Sequence, residues 1–143
     1  MSDDLGTRLA GVGKRLGQRE AAHAQAMEAA RKKAAGFHAA VSQGLEAYRR
    51  AVTAAGSGHL ADVVVSAPRL DDKHVRAIEF ALERGRYKAV VTVKSKGEVT
   101  LVGPFRTGKA EGPCKSFPLD AGSEIETALA DFVEAFLEEA ATP

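Results

Sequence analysis

The longest repeating pattern in the chain lies between residues 19 and 55, where apolar or small side chains recur in steps of three and four. That spacing is typical of one face of an α-helix, and the abundant alanines favour a helix as well. We predict one long helix over residues 19–55, ended by the Ala-Gly-Ser-Gly stretch at 55–58. Its apolar seam consists of Met27, Ala30, Ala34, Phe37, Val41, Leu45, Tyr48 and Val52.

A weaker helical pattern precedes the seam and is interrupted by glycines. Each glycine inside a helix costs roughly 1 kcal/mol relative to alanine, so we expect residues 1–18 to form a flexible or short helical segment. Residues 19–143 then form a single α+β domain. The apolar positions within 1–18 are Leu5, Leu9, Val12 and Leu16, and the glycines are Gly6, Gly11, Gly13 and Gly17.

The length of the predicted helix indicates self-association. At about 1.5 Å per residue it would be roughly 55 Å long, which exceeds the width of a domain of this size. Part of the helix must therefore project, bend near Gly36 or pack on another chain. We predict a homo-oligomer that forms through the seam.

Residues 60–119 have the pattern of an antiparallel β-meander of four or five strands. The first predicted strand covers residues 60–67 and the last covers Lys115–Pro118. Residues 70–84 leave a strand and a helix open. A helix would place Phe80 on the side opposite Ile78 and Leu82, whereas a strand places all three on one face, and we favour the strand.

Two turns determine the register of the meander. In the first hairpin, a two-residue turn at 84–85 makes every side chain on one face apolar. In the second, a three-residue loop at 95–97 brings opposite charges and two threonines together, and such cross-strand pairs are favourable. The predicted pairs are Phe80 with Ala89 and Ile78 with Val91 in the first hairpin, and Lys94 with Glu98, Val93 with Val99, Thr92 with Thr100 and Val91 with Leu101 in the second.

Residues 123–140 carry the second helical pattern. Ser123-x-x-Glu126 matches a capping box, and a strong apolar stripe follows it. The inner face of the meander can cover that stripe, so we predict a long N-terminal helix, an antiparallel sheet and a C-terminal helix packed on one sheet face, an α+β layer fold. The stripe consists of Ile125, Leu129, Phe132, Val133, Phe136 and Leu137.

Length and composition fit one globular domain in a reducing compartment. The chain has 143 residues and one cysteine, so no internal disulfide can form. The first residues are acidic where a signal peptide is basic, and no apolar run is long enough to cross a membrane. We expect a cytoplasmic protein.

The net charge of +1 is unevenly distributed along the chain. Residues 1–57 carry 9 Lys or Arg against 5 Asp or Glu, whereas residues 120–143 carry 7 acidic residues and no basic one. The acidic tail has two interpretations. It is either a solvated helix face or a surface that shields a basic region or docks on a partner.

Residues 103–109 match the G-x-x-x-x-G-K pattern of a phosphate-binding P-loop. That loop binds phosphate because a strand, a glycine loop and a helix follow one another, so that backbone N–H groups converge. Here Ala110 replaces the Ser or Thr that would hold magnesium, and Pro113 stops a helix. We predict a glycine-rich hairpin loop, with no nucleotide and no other cofactor.

The remaining polar residues lack the spacing of a catalytic or metal site. The four histidines are scattered, and zinc needs several convergent ligands. The Asp71–His74 stretch is typical of a turn between strands. Since nothing indicates a nucleophile with a base in reach, we predict a protein that is not an enzyme and binds no metal.

Lysines and arginines cluster on the predicted hairpins, where they could neutralise phosphates. However, Phe80 and Tyr87 point to the inner face, so the outer face lacks aromatic side chains that stack on bases. We therefore predict a non-catalytic interaction or adaptor protein that acts as a homo-oligomer on a protein partner, with nucleic-acid binding as the alternative. The candidate anion or nucleic-acid contacts are Arg84, Arg86, Lys88, Lys94, Lys96, Arg106, Lys109 and Lys115.

Overall fold

The computed structural model describes residues 2–71, 76–108 and 112–141, with side chains from residue 4 onward. Helix α1 covers Ser2–Ala54 and helix α2 covers Gly122–Ala140. A 3₁₀ turn at Gly58–Ala61 follows α1, and the strands lie between that turn and α2. The strands are β1 (Val64–Val65), β2 (Arg69–Leu70), β3 (Ala77–Arg84), β4 (Tyr87–Lys94), β5 (Glu98–Arg106) and β6 (Cys114–Pro118).

The strands form one antiparallel sheet in the order β1-β3-β4-β5-β6, and β2 also pairs with β3. Alternate side chains of the three central strands point to one buried face, which we call the inner face. The predicted α+β architecture, with a long N-terminal helix and a C-terminal helix on the sheet, is confirmed. The buried inner-face residues are Ile78, Phe80, Leu82, Ala89, Val91, Val93, Val99 and Leu101.

Both helices pack on the inner face. Helix α1 lies over β3 and β4, and α2 lies over β4 and β5. The ring of His38 on α1 meets the ring of Phe80 edge-on, with centroids 5.3 Å apart, and Phe136 on α2 is fully buried. Because the apolar side chains of both helices and the sheet belong to one cluster, the core is a single layer between helices and sheet.

All of the seam of α1 except Val52 belongs to this core cluster. Four of its side chains are buried and the other four are half-buried. The seam was predicted to mediate self-association because the helix is longer than a domain of this size is wide. The inner face is wide enough for two helices, so it covers both. The buried seam residues are Ala30, Ala34, Val41 and Leu45, and the half-buried ones are Met27, Phe37, Tyr48 and Val52.

Residues 2–26 of α1 extend beyond the part of the helix that packs on the sheet, and we call them the arm. The helix is not interrupted at the predicted boundary after residue 18, and it continues from Ser2 through all four arm glycines and through Gly36. At about 1.5 Å per residue the arm is about 37 Å long. Every residue from 4 to 22 except Gly11 is exposed, so the projecting part of the long helix is its N-terminal part.

The two hairpins differ in how well their register was predicted. In the second hairpin all four predicted pairs are present, and Gly97 has a φ of +97°. In the first, the turn residues are Gly85 and Arg86, so Phe80 faces Val91, two residues beyond its expected partner. Since side chains alternate with a period of two, this shift keeps each of them on its predicted face.

Two smaller predictions need correction, and one open alternative is resolved. The first strand is reduced to Val64–Val65 because the 3₁₀ turn occupies residues 58–61. The capping box of α2 does not form, since the helix begins at Gly122 and no side chain caps it. The alternative over 70–84 resolves in favour of a strand from Ala77, while residues 72–75 lie outside the described residues.

Candidate interaction surfaces

An open groove lies on the inner side of the sheet, beside α2. Its volume is about 660 Å³. Leu101 of β5 and Phe117 of β6 form its floor, and Pro104 and Pro113 also line it. Because α2 lies over β4 and β5, the groove occupies the space above the edge strand β6.

One side of α2 forms the wall of the groove. The wall residues recur at helical spacing and, apart from Phe132, are small or polar. Two of them, Glu124 and Asp131, are carboxylates seven residues apart, which places them about 10 Å apart along the helix axis. On the β6 side, Lys115 lines the groove. The wall residues are Ser123, Glu124, Thr127, Ala128, Asp131, Phe132 and Ala135.

The arm presents an apolar stripe to solvent. Leu5, Leu9, Val12 and Leu16 recur in steps of three and four on one helix face, and they are 59%, 58%, 37% and 47% exposed. A contiguous row of large apolar side chains on a surface marks an interaction site more often than isolated apolar residues do. The stripe is therefore a candidate interface.

The two sides of the stripe differ in chemistry. Arg8, Arg15 and Arg19 lie along one side, because seven and four residues are close to whole helical turns. Gly6, Gly13 and Gly17 lie along the other side by the same spacing. The arm thus has an arginine flank on one side of its apolar stripe and a glycine flank on the other.

The arm glycines have no packing role within their own chain. A Cβ atom added to Gly6, Gly13 or Gly17 would meet no other atom within 4 Å. By contrast, a Cβ at Gly103 would lie 2.9 Å from the Lys88 carbonyl oxygen, and its φ of +119° itself favours glycine. The sheet requires its glycine, whereas nothing in the described chain requires those of the arm.

The basic residues of the hairpins do not form one basic surface. The Lys88 ammonium lies 3.4 Å from a Glu83 carboxylate oxygen. Lys94 and Lys96 both pair with Glu98, at 3.2 and 3.8 Å. These lysines therefore face glutamates of the same sheet, which reduces the positive potential they offer to a polyanion.

Glu98 is the titratable group whose environment is most clearly altered by this pairing. The hydrogen bond that Lys94 donates, and then the charges of Lys94 and Lys96, lower the pKa of the Glu98 carboxyl below its usual range. The Thr100 hydroxyl donates a further hydrogen bond to it at 3.5 Å. Glu98 thus holds both lysines of the second hairpin in place.

The other candidate contacts are dispersed. The Arg84 guanidinium donates a hydrogen bond to the Leu60 carbonyl at 3.3 Å, and that of Arg106 lies 5.8 Å from the centre of the Tyr87 ring. Arg86 is exposed at the first turn, and Lys115 is exposed beside the groove. Lys109, the remaining candidate contact, lies outside the described residues.

The residues of the P-loop pattern adopt a different structure from a P-loop. Gly103 lies inside β5, where the register shifts opposite the stretch between Lys88 and Val90. Gly108 lies in a turn, and Gly112 and Pro113 lead directly into β6. Within residues 103–108 and 112–118, which the structure describes, strand and turn residues are found and no helix begins, whereas a P-loop requires a helix N-terminus on which N–H groups converge.

The groove is the feature that the sequence analysis missed. The apolar stripe of α2 predicts packing on the inner face without showing which strands are covered. A signal was present in the small residues Ala128 and Ala135 on one side of α2, but the same residues also suit a solvated helix face. Only the position of α2 on β4 and β5 distinguishes the two.

Within the described residues, no group of three or more His, Cys, Asp or Glu is arranged to hold a metal ion. Neither helix in that part of the chain has the length and hydropathy required to cross a bilayer.

Comparison of the chain with protein-family models, with curated proteins and with solved structures finds no match. The arm and the groove are therefore interpreted from their own chemistry.

Proposed function

We propose that this protein is a non-catalytic interaction protein that acts as a homo-oligomer, with the arm as its principal contact surface. The observation that carries the proposal is the exposed stripe of Leu5, Leu9, Val12 and Leu16 on a helix that extends beyond its own sheet. Covering each of these side chains would contribute about 1.5–3 kcal/mol. A surface of this kind favours association with another apolar surface.

Helix energetics support the same proposal. An isolated helix is marginal in water even when it is rich in alanine, and the arm contains four glycines, each costing about 1 kcal/mol. Packing against a partner would offset that cost. The single cysteine agrees with a protein of a reducing compartment, and we keep a cytoplasmic location as part of the proposal.

The mass of the protein in solution tests the proposal. We expect light scattering to give a multiple of the 15.0 kDa chain mass. Replacing Leu5, Leu9 and Leu16 together by glutamine, a good helix former, should reduce the mass to that of a monomer. A matched control makes the same replacement by glutamine at Ala10, Lys14 and Ala21, which are exposed away from the stripe. This control should leave the mass unchanged.

Either of two results would contradict the proposal: a monomeric wild-type protein at tens of micromolar, or a triple glutamine variant that keeps its mass. Nucleic-acid binding is the competing function. Titration with a labelled duplex at two salt concentrations detects it, because affinity that depends on phosphate contacts falls steeply with salt. Salt-sensitive binding by a monomeric protein would replace our proposal with that alternative.

A further inference from the structure

We propose that the groove beside α2 receives the arm of a second copy of this chain, running antiparallel to α2. This inference rests on the proposed function, because it names the surface that covers the arm. The groove offers an apolar floor of Leu101 and Phe117 beside a helical wall. The arm offers a helix with one apolar stripe. Neither the apolar floor of the groove nor the apolar stripe of the arm is covered within its own chain, and each can cover the other.

The arm and the groove of one chain do not meet. The arm is continuous with the part of α1 that packs on β3 and β4, whereas the groove lies above β6, on the far side of α2. The residues that line the groove include none from α1. A second copy is therefore the source of an arm for this site.

The two surfaces match in length. The stripe from Leu5 to Leu16 extends about 16 Å along its helix, and the wall from Ser123 to Ala135 extends about 18 Å. The wall also includes Ala128 and Ala135, which are small enough to let a neighbouring helix approach closely. One arm would fill the groove along the whole wall.

The charged residues of the arm and of α2 are opposite in sign and equal in spacing. Arg8 and Arg15 are seven residues apart on the arm, and Glu124 and Asp131 are seven residues apart on α2. Both pairs are thus about 10 Å apart along their helices. Two ion pairs can form at once across the interface, and such pairs select the partner and the register.

The handedness of the helices determines the direction of the arm. The stripe must face the floor, and the arginine flank must face α2 in order to meet its carboxylates. Because both helices are right-handed, both conditions hold together only when the arm runs antiparallel to α2. Arg8 then lies opposite Asp131, and Arg15 lies opposite Glu124. If two copies exchange arms reciprocally, the contact closes a dimer.

Charge reversal in the full-length protein tests this contact. We expect Glu124→Lys with Asp131→Lys to raise the dissociation constant of self-association about tenfold or more, since two attractions become repulsions. Adding Arg8→Glu and Arg15→Glu should restore most of the affinity. The matched control, Glu126→Lys with Glu134→Lys, changes the charge of α2 equally at exposed positions outside the groove and should have little effect.

Single pairs test the direction of the arm. Arg8→Glu should be rescued by Asp131→Lys and not by Glu124→Lys; the reverse preference would overturn the antiparallel arrangement. Loss of affinity without rescue by the reversed arm would contradict direct pairing between arm and groove. An unchanged affinity in the α2 double variant would overturn groove docking altogether. In that case the proposed function still stands if the triple glutamine variant is monomeric, because the arms then associate by another surface.

Discussion

The two parts of α1 have the same apolar spacing but very different surroundings. In the part over the sheet, Ala30, Ala34 and Leu45 are at most 1% exposed. In the arm, Leu5 and Leu9 are more than half exposed on the same continuous helix. An apolar helical period therefore shows that one face of the helix must pack against another surface. It does not show which surface that is. For one part the cover is the sheet, and for the other we propose a second copy.

Small residues in the two parts also differ in what surrounds them. Ala30 and Ala34 are completely buried, because only a small side chain lets α1 lie close to the strands. A Cβ atom added to Gly13 or Gly17 in the arm would have no neighbouring atom within 4 Å. Their cost in helix stability is therefore uncompensated within one chain. The contrast agrees with an arm that is complete only when it is bound.

The largest expected effect separates the two parts by stability. Leu45→Ala should lower the free energy of unfolding by about 2–5 kcal/mol, because it leaves a cavity in a packed core. Leu9→Ala, an equal truncation at a site that is 58% exposed, should change it by no more than about 0.5 kcal/mol. Urea denaturation measures both, at a protein concentration where the two variants have the same mass. Equal losses would mean that the arm belongs to the same cooperative core.

A smaller effect concerns the arm alone. Gly13→Ala should stabilise the arm helix by about 0.5–1 kcal/mol, since the position is open and helical. We expect the arm amides to exchange their hydrogens more slowly in this variant. The urea midpoint of the domain should be unchanged. A fall in helix content measured by circular dichroism would contradict an open helical position.

The smallest effect concerns the sheet and depends on pH. A lowered pKa means that the folded state favours the ionised Glu98, so its contribution to stability is present at neutral pH and is lost as the pH falls through that pKa. Glu98→Gln should therefore be slightly less stable than the wild type at pH 7, with the difference shrinking below about pH 4. A difference that stays constant across this range would exclude the carboxylate as its cause.

The parts of the fold that were predictable are those where local chemistry selects one arrangement. In the second hairpin, Gly97 supplied a left-handed turn position, and the pairs Lys94 with Glu98 and Thr92 with Thr100 agreed with it. In the first hairpin the register differs from the predicted one by two residues, which leaves every side chain on the same face of the sheet. The apolar pattern therefore could not distinguish a turn at 84–85 from one at 85–86.

The parts that were not predictable depend on which surfaces meet. The seam around Val41 needs an apolar cover, and its sequence does not say whether that cover is the sheet or another chain. The groove depends on the lateral position of α2, which leaves Phe117 of the edge strand at its floor. Of the residues proposed as sites from the sequence, the hairpin lysines pair with their own glutamates, and Lys115 alone among the described candidates lines the groove.

Amide hydrogen exchange at residues 4–20, recorded at protein concentrations below and above the transition in mass, tests most directly whether a second copy covers the arm. The account predicts fast exchange in the dilute sample and strong protection in the concentrated one, with added protection of residues 114–118 and 123–135 at the groove over the same range. Arm amides that exchange at the same rate at both concentrations would contradict it.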